Sequence, residues 1–130
     1  MQKLLTLFIL FFSLSIVSIA QTEHNDPIHQ AFKSGNASEI SKYFDSSISL
    51  KILNKEDVYS KSQAEIILKD FFSKNQVKNY NSKHSGASKN GAQYIIGQII
   101  TPNQNFRTYY FIKKIGESSL IQEFKIENEK

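Results

Sequence analysis

The chain has 130 residues, 40% of them apolar, with 16 basic against 12 acidic side chains, a net charge of +4 and no cysteine. That is one domain of ordinary size, able to bury a core without staples. Lack of cysteine excludes disulfides, thiol catalysis, Cys-based metal sites and a lipid anchor attached through a processed cysteine. The lysines are scattered and Arg107 is the single arginine, so the basic balance reads as a solvated surface and not as a nucleic-acid footprint. A weak attraction to anionic membrane or polysaccharide surfaces stays open.

The first twenty residues read as an export signal. Lys3 gives a short charged start, and an apolar run from Leu4 to Ala20 follows. The run ends Ser18, Ile19, Ala20, with small residues at the two positions that signal peptidase reads. It is shorter than a membrane span wants and has no basic flank on its far side. The expected mature chain begins at Gln21, with no stable membrane anchor after cleavage, in the periplasm or outside the cell.

Two short helices open the expected domain. Asp26 caps the first, with Pro27 at its first position, where the missing N–H costs nothing. Ile28, Ala31 and Phe32 share its apolar face, and Gly35 supplies a left-handed stop. Asn36 with Glu39 forms the capping pattern of the second, whose stripe is Ala37, Ile40, Tyr43 and Phe44. Asn36-Ala37-Ser38 also matches the glycosylation sequon, but it reads as this cap.

Alternation over Ser46 to Leu53 predicts a half-buried strand. Asn54 to Asp57 reads as a polar turn, and Val58 with Tyr59 as a short second strand. Ser60 and Gln63 then open the clearest element, a helix from Lys61 to Lys74. Its stripe is Ala64, Ile67, Leu68, Phe71 and Phe72, with Ile66 off the stripe. Lys61–Glu65 and Glu65–Lys69 pairs are expected on its wet side.

Everything after Asn75 reads as strands: Val77 to Ser85, Ala92 to Thr101, Phe106 to Lys114 and Ser119 to Glu127. Gly86 to Gly91, Pro102 to Asn105 and Gly116 to Ser118 are the connections, short enough for an antiparallel meander. The expected architecture is α+β, with two short helices and one long helix packed on a curved antiparallel sheet.

That element order resembles the nuclear transport factor 2-like (cystatin-like) fold, a cone of helices closed over a bent sheet. The segment Tyr59 to Phe72 (YSKSQAEIILKDFF) resembles the exported bacterial family called domain of unknown function 4783. So do His84 to Gly86, Tyr94 to Gly97 (YIIG), Thr101, Phe106 and Arg107. The resemblance spans roughly Asp26 to Glu127 and implies the fold and export; it brings no activity. It also implies an interior pocket between the long helix and the sheet, which in related folds holds small hydrophobic ligands or an acid–base set.

The polar residues placed to line such a pocket are Tyr59, His84, Tyr94, Gln98, Tyr109 and Gln122. Gln122 shares its strand face with Leu120, Phe124 and Ile126, which points it inward, as ligand contact or as a buried amide bonded to backbone. Tyr94 and Gln98 alternate with Ile95 and Ile99, and periodicity leaves their direction open. His84 is the one histidine in the expected sheet, without a carboxylate or nucleophile at catalytic spacing. No His-x-His or His-x-x-x-His pair seeds a metal site. Arg107 is expected in an exposed cross-strand salt bridge, and Asp57, near Tyr59, in solvent.

The sequence thus predicts no catalytic set, metal or cofactor. It predicts binding of a small ligand or an extracytoplasmic protein, no nucleic acid, and a possible homodimer through the sheet face. The rival expectation is a small pocket enzyme of the isomerase or hydratase kind.

Overall fold

The structure is a computed structural model that describes residues 26–130. The export signal and the Gln21 start lie outside the described residues.

Helix α1 spans Pro27–Ser34 and is capped as its sequence dictates: the Ile28 N–H donates to Asp26 Oδ1 at 2.9 Å. Gly35 stops it at φ 63°, the left-handed region where a Cβ is penalised. Helix α2 is shorter than its apolar stripe, Ala37–Ser41. Asn36 accepts from the Glu39 N–H, but the Glu39 carboxylate turns to Lys42 at 2.7 Å and leaves the capping pattern half made. Phe44, expected on this helix, starts strand β1 instead, which runs Phe44–Ile52.

A tight turn at Leu53 and Asn54, with Leu53 at φ 57°, feeds β2, Lys55–Ser60. The polar run read as a turn is therefore strand, because pairing with β1 from Ser47↔Ser60 to Ile52↔Lys55 supplies the ladder that its composition does not advertise. Helix α3 covers Lys61–Lys74, as expected, and its capping box is complete. Ala64, Leu68, Phe71 and Phe72 are buried, Ile67 packs against them, and Ile66 is 68% exposed. The expected pairs of Glu65 with Lys61 and Lys69 give way to other partners: Glu65 accepts from Ser38 Oγ at 2.8 Å, tying α3 to α2.

Strands β3 (Asn79–Ala87), β4 (Gln93–Ile100), β5 (Asn105–Ile115) and β6 (Ser118–Asn128) form the meander. The sheet order is β2-β1-β6-β5-β4-β3. All neighbours are antiparallel except β1 and β6, which run parallel. The sheet is therefore mixed. A parallel pair needs a long crossover, here everything between Ile52 and Ser118, and no local pattern in either strand betrays it.

Register shifts fall in β1/β6, in β3/β4 between Ser82 and His84, and in β5/β6 beside Phe111 and Ile112. Such bulges bend a sheet and turn side chains over. The helices close one face. Phe32 of α1 stacks on Tyr80 of β3 and Tyr110 of β5 and tilts against Phe124 of β6, each at 5.1 Å between centroids. Phe71 of α3 meets Phe106 edge-on at the same distance. No helix among the described residues is long and apolar enough to cross a membrane.

Candidate functional site

The two faces of the sheet differ in what they offer. Along β5, Phe106, Thr108, Tyr110 and Ile112 are buried under the helices, while Arg107, Tyr109 and Phe111 point away. Along β4, Ile95, Gly97 and Ile99 face inward, and Tyr94, Ile96, Gln98 and Ile100 outward.

Inside, three hydroxyls converge. The Tyr80 ring extends over Gly97, where a Cβ would stand 2.6 Å from Tyr80 Cζ; the missing side chain makes its room. Burial raises the Tyr80 pKa to about 12, and Asp26 adds to the rise, while the nearby Thr108 and Tyr110 hydroxyls pull the other way. Their geometry still falls short of a bond: Tyr80 Oη and Thr108 Oγ1 are buried without a hydrogen-bond partner. Burial, with the charges of Tyr80 and Asp26 behind it, raises Tyr110 further. His29 meets the Tyr80 ring edge-on at 5.1 Å. Burial thus keeps both phenols protonated beyond the ordinary tyrosine range. Between the long helix and the sheet, where the pocket was expected, Leu68, Phe71 and Phe106 are buried, and Phe32, Tyr80, Tyr110 and Phe124 fill the space under α1.

Five of the six expected pocket residues go elsewhere. Tyr59 faces the helices from the edge strand β2, half-buried opposite Ile48. His84 is exposed on edge strand β3, opposite Ile96. Gln122 does not share a face with Phe124 and Ile126. The β5/β6 bulge pairs Phe111 with Glu123 and Ile112 with Ile121, so Gln122 is the extra residue and Ile121 takes the core position. The Gln122 amide donates to Asp45 at 3.4 Å at the rim. Asp57 is exposed, as expected.

Tyr94, Gln98 and Tyr109 share the outer face, and the two tyrosines meet there. The Tyr94 and Tyr109 rings are nearly parallel, 19° between planes and 6.4 Å between centroids. Tyr94 leans across Gly86 of β3, where a Cβ would again stand 2.6 Å from the ring Cζ. Lys125 Nζ sits 5.9 Å from the Tyr109 centroid, within cation–π range. Beside them is a half-open depression of about 250 Å³ lined chiefly by Arg107, Tyr109, Glu123, Lys125 and Glu127.

The charges here are mutually compensated. Lys125 binds Glu123 at 3.0 Å and reaches Glu56 at 3.9 Å, and Lys51 binds Glu127 at 2.9 Å. The Lys125–Glu123 hydrogen bond holds the ammonium above its ordinary range. The Lys51 hydrogen bond, with the fields of Arg107 and Lys125, holds Glu127 below the usual carboxylate range. Arg107 is the register partner of Glu127, but the bonded cation is Lys51; the expected Arg107 salt bridge is replaced by a through-space field. Gln98 donates to Glu129 at 2.6 Å.

The sequence carries a signal for the outward Tyr109 that its reading as a pocket residue missed. Arg107 and Lys113 flank it on the same alternation, and two cations mark the wet face. Tyr80, Thr108 and Tyr110 were missed because an inward hydroxyl on a β-branched or aromatic side chain looks like ordinary strand composition. Among the described residues, no group of three His, Asp or Glu is arranged to hold a metal.

The family model described as "Domain of unknown function (DUF4783)" matches residues 25–127. The chain belongs to the DUF4783 family. A DUF4783 protein of Bacteroides fragilis is 32% identical, over 80% of this chain and 97% of its own, with a TM-score of 0.75. Another from Bacteroides ovatus is 30% identical, over 81% and 94%, at 0.76. A Nostoc punctiforme domain of unknown function with a cystatin-like fold shares the fold at 0.63 and 11% identity, over 80% of this chain and 72% of its own. Among curated proteins, none matches the chain. DUF4783 membership and the nuclear transport factor 2-like, cystatin-like fold are thus shown; neither brings an activity.

Proposed function

We propose that this DUF4783 chain is an exported, noncatalytic binding domain whose contact surface is the outer face of the sheet around Tyr94, Gln98 and Tyr109. One observation carries the site: aromatic side chains fill the space under the helices, while three of the six expected contact residues gather on the opposite face beside an open depression. A binding surface needs apolar area with a few placed polar groups, and the Tyr94/Tyr109 pair with Gln98 and Arg107 has that composition. The noncatalytic part rests on the chemistry of the groups present. His84 stands exposed on the edge strand β3, opposite Ile96, and Asp57 is exposed on the edge strand β2.

The chain has no native cysteine, so a single introduced one can carry a photocrosslinker without background. Gln98→Cys reports on the outer face and Ser62→Cys on the exposed side of α3. With a cell-envelope extract, a discrete crosslinked product is expected from position 98 and not from position 62. Products from both positions alike, or none from position 98, would sink the outer-face site. A product of twice the chain mass identifies a second copy as the partner.

A further inference from the structure

We infer that the ligand of this face is a neutral, polyhydroxylated chain, an oligosaccharide lying across Tyr94 and Tyr109 with its hydroxyls in the Arg107–Glu127 depression. The inference rests on the outer-face reading above and narrows it to one chemical class.

Three features of the face select that class. The first is the pair of near-parallel rings on adjacent strands, with Tyr94 37% exposed. The C–H face of a sugar ring is apolar and packs on aromatic rings, whose electron-rich faces attract its slightly positive hydrogens. The second is the alternation of donors and acceptors around those rings. Arg107 and Lys125 donate, Glu123 and Glu127 accept, and Tyr109 does both, all of them in the lining of the depression. A vicinal diol needs donor and acceptor side by side. A phosphate or sulfate would meet the Glu123 and Glu127 carboxylates of the lining, and an acyl chain would meet charged walls.

The third feature is electrostatic. The lining sets two cations, Arg107 and Lys125, against two carboxylates, Glu123 and Glu127, so its formal charges cancel, while the chain as a whole carries +4. A surface whose charges sum to about zero offers directional hydrogen bonds without a strong net field. That favours a neutral ligand over an anionic one, which would be drawn instead to the scattered lysines. A depression open to solvent and about 250 Å³ in volume takes one residue of a longer chain and lets the rest continue along the sheet.

The test is amide chemical-shift mapping of the 21–130 chain with four probes at millimolar concentration: cellohexaose, maltohexaose, chitohexaose and hexagalacturonate. At least one neutral hexasaccharide is expected to shift Tyr94, Gln98, Arg107, Tyr109 and Lys125. Tyr94→Ala and Arg107→Ala should each weaken it about tenfold, the equivalent of one lost stacking or charge-assisted contact. Ser62→Ala should not. Arg107 is exposed and outside the core, so its variant remains informative if Tyr94→Ala unsettles the Gly86 region. Absence of shifts with all three neutral probes, or tighter binding of hexagalacturonate than of any of them, overturns the oligosaccharide. Concentration-dependent shifts on the same face without sugar, with a dimer in sedimentation, overturn it too while leaving the outer-face reading in place. Shifts confined to Tyr80, Thr108 and Tyr110 overturn both.

Discussion

Tyr80 of β3 occupies the volume that a side chain at position 97 of β4 would need, and its hydroxyl ends beside Thr108 of β5 without a bond to it. A tyrosine therefore reaches across a whole strand under the helices because its neighbour is glycine. On the opposite face of the same two strands Tyr94 does the same over Gly86. In each case an aromatic ring covers a glycine that would otherwise leave the sheet thin. One ring fills the core and the other is the floor of the proposed contact surface.

Gly97→Ala should destabilise the domain by about 1–3 kcal/mol, the usual result of forcing a methyl into a packed core. The added Cβ meets the middle of a buried ring, not a flexible tip. Urea melts of the variant against wild type measure it. An unchanged midpoint would mean that the Tyr80 ring moves aside freely.

Thr108→Val should be neutral or stabilising by about 1 kcal/mol. It swaps a buried hydroxyl without a partner for a methyl of the same shape, removing a desolvation cost with no bond to lose. Thr108 is fully buried, so solvent cannot compensate the hydroxyl. A loss larger than 1 kcal/mol in the same melts would reveal a bond that the geometry does not contain.

Leu68→Ala or Phe71→Ala should cost about 2–5 kcal/mol, since both empty core positions under α3. Ile66→Ala should cost well under 1 kcal/mol, because Ile66 is 68% exposed. Equal losses at Leu68 and Ile66 would mean that the helix presents a different face to the sheet.

Stability should fall above pH 10. Tyr80 and Tyr110 have folded-state pKa values above their ordinary 10.0, so below pH 10 both are protonated in folded and unfolded chains and the pH dependence is flat. Between 10 and about 12 the unfolded chain loses these protons and the folded one keeps them. Unfolding is then favoured by roughly 1.4 kcal/mol per pH unit for each tyrosine. Lysines titrate in the same window, so the comparison is with Tyr80→Phe, which should flatten the slope by one tyrosine's share. An identical slope in that variant would contradict burial as the cause.

The exported form proposed above should begin at Gln21. Intact mass after export tests this, and a membrane-retained chain that still carries Met1 would refute cleavage after Ala20.

The sequence alone determined the elements that rest on neighbours in the chain. Asp26 and Pro27 start α1, Gly35 stops it, and the Ser60–Gln63 box with its apolar stripe sets α3 and the face it buries. Short connections fixed the β3 to β6 meander, and the segments resembling DUF4783 placed the chain in its family and fold. Tertiary structure decided whatever depends on a partner strand far away. The parallel β1–β6 pair joins residues more than seventy positions apart, and it converts Phe44 from helix to strand. The β5/β6 bulge moves Gln122 out of the core and Ile121 into it, because strand alternation has a period of two and one extra residue inverts it. The direction of Tyr94 and Gln98 was open for the same reason: both faces of β4 are apolar, and only the helices packed over Ile95 and Ile99 distinguish inside from outside.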